Sequence, residues 1–163
     1  MLLRVAGIVN DSIVDGPGIR MTVFVQGCKH NCMGCHNPDT HPLDGGELID
    51  TAEIAARAFD NPLLDGLTFS GGEPFLQCEA LTELAGLVRQ RGLNVITYTG
   101  FVWEQLIKDA SALELIKLCS YVIDGPFILE QKSLMLKFRG SKNQRIIDVK
   151  ASLETGSAVC VEL

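Results

Sequence analysis

The segment FVQGCKHNCMGCHNPDT, residues 24–40, places three cysteines within eight positions. Cys28, Cys32 and Cys35 have the spacing C-x3-C-x2-C, and the other cysteines, at positions 78, 119 and 160, lie far away in the sequence. The segment is polar and contains two glycines, which predicts a loop and not a buried core element. Three clustered thiols without a neighbouring fourth therefore need a chemical explanation.

The composition of the whole chain indicates a single domain, residues 1–163. Hydrophobic residues make up 47% and charged residues 21%, and the net charge of -6 argues against nucleic acid as a partner. Asp11 comes too early for a signal peptide, and no apolar run approaches the ~20 residues of a membrane span. We therefore expect a cytoplasmic protein without a membrane partner, in which clustered cysteines bind metal or do chemistry.

The hydrophobic pattern alternates short strands with helices. It predicts strands at 3–9, 20–26, 66–70, 93–99, 121–124 and 144–148, and helices at 50–59, 78–91, 102–109 and 111–119. Such alternation implies an α/β fold with a mainly parallel sheet. A complete eight-unit barrel needs ~200 residues or more, so we predict a partial (open) β/α barrel.

Two motifs are predicted to lie on the same rim of this sheet. The cysteine loop follows the strand at 20–26, and SGGEP, residues 70–74, follows the strand at 66–70. Ligands of parallel α/β proteins bind at the carboxyl ends of the strands. Glycines at 71 and 72 would let a ligand approach the backbone, and Glu73 would accept a hydrogen bond from an ammonium group.

Several sites could use three cysteines. Cysteines that only fill a core are disfavoured by the polar loop. A ferredoxin-like electron carrier would need a fourth thiolate, but Cys78, Cys119 and Cys160 lie in or beside core-like runs and are expected to be buried. A zinc site could take His30 or His36 as its fourth ligand, although structural zinc sites usually use two ligand pairs. A [4Fe-4S] cluster held by three cysteines leaves one iron open for a substrate, as catalytic metal sites do.

The cysteine triplet followed by a strand-end GGE resembles the radical S-adenosylmethionine (SAM) superfamily. The resemblance implies a cluster whose open iron chelates SAM, and whose electron cleaves SAM to methionine and a 5′-deoxyadenosyl radical. It also implies cluster ligands at Cys28, Cys32 and Cys35, and SAM contacts at Gly34, Cys35, His36, Gly71, Gly72 and Glu73. Many members carry an aromatic residue where Gly34 stands, and His36 is the candidate to replace its ring.

Longer segments narrow the resemblance. VDGPGIRMTVFVQGC (14–28) and CHNPDT (35–40) are similar to enzymes that activate glycyl radical proteins. YVIDGPFILEQKSLMLKFRGSKNQRIID (121–148) resembles the end of anaerobic ribonucleoside-triphosphate reductase activating enzymes. The implied reaction removes a hydrogen atom from a glycine of a partner enzyme, with an external electron donor such as flavodoxin.

The client and its contacts stay open at this stage. GGEP and CHNPDT are at least as close to pyruvate formate-lyase activating enzyme, so a formate-lyase-like client is the leading alternative. A zinc or iron–sulfur module that only docks to a partner is the alternative from another class. We expect the Asp15–Arg20 loop and the Phe138–Arg145 segment to contact the client, through Asp15, Arg20 and Arg139.

Overall fold

The structure, a computed structural model, describes the whole chain, Met1–Leu163. Its strands are β1 (Leu2–Ser12), β2 (Arg20–Val25), β3 (Glu47–Asp50), β4 (Gly66–Gly71), β5 (Asn94–Tyr98), β6 (Tyr121–Asp124) and β7 (Arg145–Asp148). Its helices are α1 (Thr51–Phe59), α2 (Cys78–Arg89), α3 (Trp103–Leu106), α4 (Ala110–Ile116) and α5 (Val149–Thr155). None of these helices combines the length and the apolar character needed to cross a membrane.

All the predicted strands and helices are present, but β3 and α5 were not predicted. β3 has only four residues, too few for a periodic pattern to be recognised. α5 did carry a signal, because Asp148 caps its first turn by accepting a hydrogen bond from the Ala151 amide (2.9 Å), and Gly156 ends it with a φ of 80°.

The strands form one open sheet in the order β3-β1-β2-β4-β5-β6-β7. The central strands β2, β4, β5 and β6 pair in parallel, whereas β1–β2, β1–β3 and β6–β7 are antiparallel. The expectation of a mainly parallel sheet therefore holds for the centre and is wrong for the flanks. The two end strands do not pair with each other, which confirms an open α/β architecture.

The two faces of the sheet have different environments. On one face, alternate residues such as Val23, Phe69 and Val122 join the main hydrophobic core, against which α1, α2 and α4 also pack. On the other face, Ile96, Ile123 and Ile146 form a smaller cluster. This second face also carries polar residues, and the cavity described below opens on it.

Arg20 begins β2 on the second face and is completely buried. Its guanidinium donates to the Thr68 hydroxyl (2.8 Å) and to the carbonyls of Leu67 (2.8 Å) and Pro17 (3.2 Å). Burial lowers the pKa of this guanidinium to about 10. The prediction that Arg20 contacts the client is therefore wrong: the side chain instead links the start of β4 to the loop before β2.

We expect Arg20→Met to destabilise the fold. Each carbonyl or hydroxyl left buried without its donor costs roughly 1–3 kcal/mol, and the free energy of unfolding in urea should fall by at least that amount. The exposed Arg57→Met, whose only ion pair is the surface contact with Glu53 (3.3 Å), is the matched control. Equal unfolding midpoints for the two variants would contradict a structural role for Arg20.

Candidate active site

The cysteine loop leaves the sheet at the end of β2 and is closed at its base. The Gly27 amide donates to the Thr40 carbonyl (2.6 Å). The side-chain amide of the buried Gln26 donates to the carbonyls of Asp39 (3.1 Å) and Pro42 (2.7 Å). These contacts hold the two ends of the loop side by side, so the three cysteines lie in a segment with a fixed start and a fixed end.

Two residues with left-handed backbone shape the middle of the loop. Asn31 has a φ of 57° and Gly34 a φ of 74°, and the Cys35 amide donates to the Cys32 carbonyl (3.2 Å). A β-carbon on Gly34 would lie 2.8 Å from Leu129 Cδ1. Leu129 is exposed and its side chain can move, so the positive φ, which side chains rarely adopt, is the stronger reason for glycine at position 34.

Cys28, Cys32 and Cys35 line one cavity of about 580 Å³. All three are partly buried, and burial raises the pKa of the Cys28 thiol, with added repulsion from Glu73 and the other two cysteines. The Cys35 sulfur accepts a hydrogen bond from the Asn37 amide (3.4 Å). The structure thus brings the three predicted cluster ligands to a common space.

No other cysteine reaches this cavity. Cys78 and Cys119 are buried in the core, whereas Cys160 is exposed, so the expected burial of Cys160 is wrong. No three His, Cys, Asp or Glu side chains are gathered closely enough to share a single metal ion. In a [4Fe-4S] cluster each cysteine binds a different iron, and three thiolates leave one iron open. The donor set fits a cluster of this kind.

The glycines of the GGEP motif also line the cavity, but steric contact with β2 explains why they are glycines. A β-carbon on Gly71 would lie 2.8 Å from Phe24 Cα, and one on Gly72 would lie 2.3 Å from the Gly27 carbonyl oxygen. Gly71 also has a φ of 97°. Contact with neighbouring backbone is thus a reason for glycine at both positions that the sequence did not reveal.

The structure places Glu73 differently from its predicted role. Its side chain is 1% exposed and does not line the cavity. The carboxylate accepts hydrogen bonds from the Phe75 amide (3.0 Å), the Gly100 amide (2.8 Å) and the Thr99 hydroxyl (2.9 and 3.0 Å), and it contacts His30 Nε2 (2.5 Å). Protein donors therefore contact both oxygens of the carboxylate.

His36 lies at the cavity beside an aromatic ring that the sequence did not point to. Its ring centroid is 4.9 Å from that of Phe127, with an interplanar angle of 52°. Phe127, Tyr98 and Thr99 line the same cavity and were not predicted as site residues. The only signal for Phe127 was its place in the segment 121–148 that resembles reductase activating enzymes, and the fold is needed to bring it from the end of β6 to the cysteine loop.

The two other predicted client contacts, Asp15 and Arg139, both line the cavity. The Asp15 carboxylate accepts hydrogen bonds from the hydroxyls of Ser12 (2.5 Å) and Thr22 (3.0 Å). Arg139 donates through Nη1 to the Gln144 carbonyl (3.1 Å), whereas its buried Nε has no acceptor. Arg139 therefore offers an unpaired donor at the site, and Asp15 is already engaged within the fold.

The chain was compared with known proteins. The family model described as a 4Fe-4S single cluster domain matches residues 14–147. The anaerobic ribonucleoside-triphosphate reductase-activating protein of Salmonella typhi is 33% identical over 141 residues, 81% of this chain and 90% of that protein. The protein of the same name from Enterobacteria phage T4 is 34% identical over 141 residues, covering 82% of this chain and 86% of its own.

Two further proteins are similar to this chain over a smaller part of their own length. The pyruvate formate-lyase-activating enzyme of Clostridium pasteurianum is 41% identical over 96 residues, 56% of this chain and 40% of that enzyme. The crystal structure of QueE from Escherichia coli has a TM-score of 0.47 and 16% identity, over 61% of this chain and 53% of that chain. From the family model and the long matches, the chain belongs to the radical SAM family of glycyl radical enzyme activating proteins, whose cofactors are a [4Fe-4S] cluster and SAM.

Proposed function

We propose that this chain activates an anaerobic ribonucleotide reductase by generating a glycyl radical on it. The observation that carries the proposal is the cavity that three cysteines share with the end of β4, without a fourth cysteine. When bound, the reduced cluster supplies the electron that cleaves SAM to methionine and a 5′-deoxyadenosyl radical, which takes a hydrogen atom from the client's glycine. The electron comes from an external donor such as flavodoxin. The free cysteines suit a reducing cytoplasm.

In this proposal, some of the cavity residues bind the methionine end of SAM and others bind the adenine end. Cys28, Cys32 and Cys35 supply the thiolates. The backbone at Gly71 and Gly72 holds the methionine end, because these residues line the cavity beside the start of the cysteine loop. The backbone of Gly34 and Cys35, with the His36 and Phe127 rings, holds the adenine end, because aromatic rings offer a flat apolar surface to a base.

The segment that lines the cavity after β6 is the best candidate for the client surface. Leu134 and Met135 are 91% and 94% exposed, whereas Leu136 and Phe138 from the same segment line the cavity. Neighbouring large apolar side chains this exposed are typical of protein interaction sites. The Arg139 guanidinium, whose Nε has no acceptor, would donate a hydrogen bond to a carbonyl of the client at the inner edge of this surface.

Mixing experiments would identify the client. Reduced, cluster-loaded protein and SAM are incubated without oxygen with an anaerobic ribonucleotide reductase or with a pyruvate formate-lyase. We expect a glycine-centred doublet in the electron paramagnetic resonance (EPR) spectrum of the reductase. A doublet on the formate-lyase alone would reassign the client, and SAM cleavage without a radical on either enzyme would contradict the proposed glycyl radical activation.

Replacing Cys32 with alanine should abolish SAM cleavage. Each of the three cysteines supplies one thiolate, and the cavity contains no spare cysteine. Iron content and the yield of 5′-deoxyadenosine are measured. Cys160→Ala is the matched control, because this thiol is exposed and does not line the cavity. A normal yield from the Cys32 variant would contradict the cluster assignment.

Introducing charge on the exposed apolar segment should separate radical transfer from SAM cleavage. In the Leu134→Asp/Met135→Asp variant we expect glycyl radical formation to fall by at least ~10-fold, because charges would have to be desolvated at the client interface. Client-free SAM cleavage should stay near that of the unmodified protein. Leu153→Asp is the control, since this exposed residue lies on α5 beside a separate cavity. Full radical yield from the double variant would remove the segment from the client surface.

A further inference from the structure

A histidine within the cysteine loop is bonded to the buried carboxylate of the GGEP motif. His30 lies between Cys28 and Cys32, and its Nε2 is 2.5 Å from Glu73 Oε1. The His30 side chain is 18% exposed and that of Glu73 only 1%. Since the carboxylate accepts from three other protein donors, it is the acceptor here as well and His30 is the donor.

The His30 ring has little freedom to leave this position. It packs edge-on against Phe101, with ring centroids 4.5 Å apart and an interplanar angle of 74°. A β-carbon on Gly100 would lie 2.6 Å from His30 Cδ2, so the glycine provides the space that the ring fills. The ends of β4 and β5 and the cysteine loop thus meet at one imidazole.

The main chain near Glu73 forms a separate attachment to the loop. The Glu73 amide donates to the Gly27 carbonyl (2.7 Å), and the Gly72 amide donates to the Val25 carbonyl (2.9 Å). These bonds hold the residues immediately before Cys28. The side-chain contact with His30 holds the residues after Cys28, which the main-chain bonds do not reach.

We propose that Glu73 is a positioning residue that acts through His30 to fix the loop between Cys28 and Cys32, and that it does not bind the SAM ammonium group. The inference rests on the proposed function for the cluster that these cysteines hold. Outer partners of metal ligands restrict the ligands' orientation, and losing one typically costs about 10–100-fold in metal affinity. The carboxylate therefore supports the cluster and leaves the SAM site to the backbone of the two glycines.

Single and double variants of the cluster-loaded protein test this inference. Glu73→Ala, His30→Ala and the double variant are compared by the rate at which iron is released to a chelator without oxygen. We expect each single variant to release iron at least ~10-fold faster, and the double variant to be no faster than the faster single one, because the two side chains act as one unit. The g-values of the reduced cluster's EPR signal should shift in all three.

The affinity for SAM distinguishes a positioning role of Glu73 from direct binding of SAM by its carboxylate. We expect the dissociation constant of SAM to change by less than ~3-fold in the Glu73 variant, whereas loss of a charge-assisted hydrogen bond to SAM would weaken binding by about 10–150-fold. His30→Gln, which retains a side-chain N–H donor, should recover part of the cluster stability. Glu79→Ala, an exposed acid on α2, is the control for loss of charge.

Each result has a distinct meaning. Weakened SAM binding with an unchanged rate of iron release would overturn the inference and restore Glu73 as a direct ligand. Additive effects in the double variant would also overturn it, because the residues would then act separately. If Glu73→Ala does not fold, His30→Ala decides alone, since it leaves the carboxylate its three other donors. Failure of the unmodified protein to hold any cluster would instead overturn the proposed function.

Discussion

The contact between the end of β4 and the end of β2 is the constraint on which the site depends. Gly71 and Gly72 approach the backbone of Phe24 and Gly27 so closely that a β-carbon would lie within 2.8 Å and 2.3 Å of it, respectively. Any side chain there would separate the strands at the point where the cysteine loop begins. The main-chain bonds from Gly72 and Glu73 can form only because this approach is possible.

The other parts of the site are attached to this contact between β2 and β4. The loop closes on itself at residues 26–42, and the His30–Glu73 pair ties its middle to the sheet. The segment after β6 then contacts the loop, with Leu129 against Gly34 and Phe127 against His36. The helices pack on the other face, where the main hydrophobic core supports a rigid sheet. A site of this kind needs such support, because a mobile loop would not hold three thiols at the positions that a cluster requires.

Particular residues show how far the sequence could be interpreted. The spacing of the three cysteines and their place after a predicted strand were enough to predict a loop that binds metal or does chemistry, because such spacing is a local property; the resemblance to the radical SAM superfamily then indicated a cluster. The same holds for the helix predicted at 50–59, because Asp50 caps α1 by accepting a hydrogen bond from the Ala52 amide (2.9 Å). Arg20 shows the limit. A cation in a glycine-rich turn suggested a surface contact, yet its acceptors come from the starts of β4 and β5 and from the loop before β2.

Apart from β3 and α5, local patterns by themselves determined the order of strands and helices, the open α/β class and the three thiols, because hydrophobic period, capping and ligand spacing act over a few residues. Only the tertiary structure decided that Glu73 faces protein donors from positions 75, 99 and 100, and that the Phe127 ring lies beside His36. The physical reason is that a buried carboxylate must find its partners wherever the chain brings them, and the strands that bring them are neighbours in space and not in sequence.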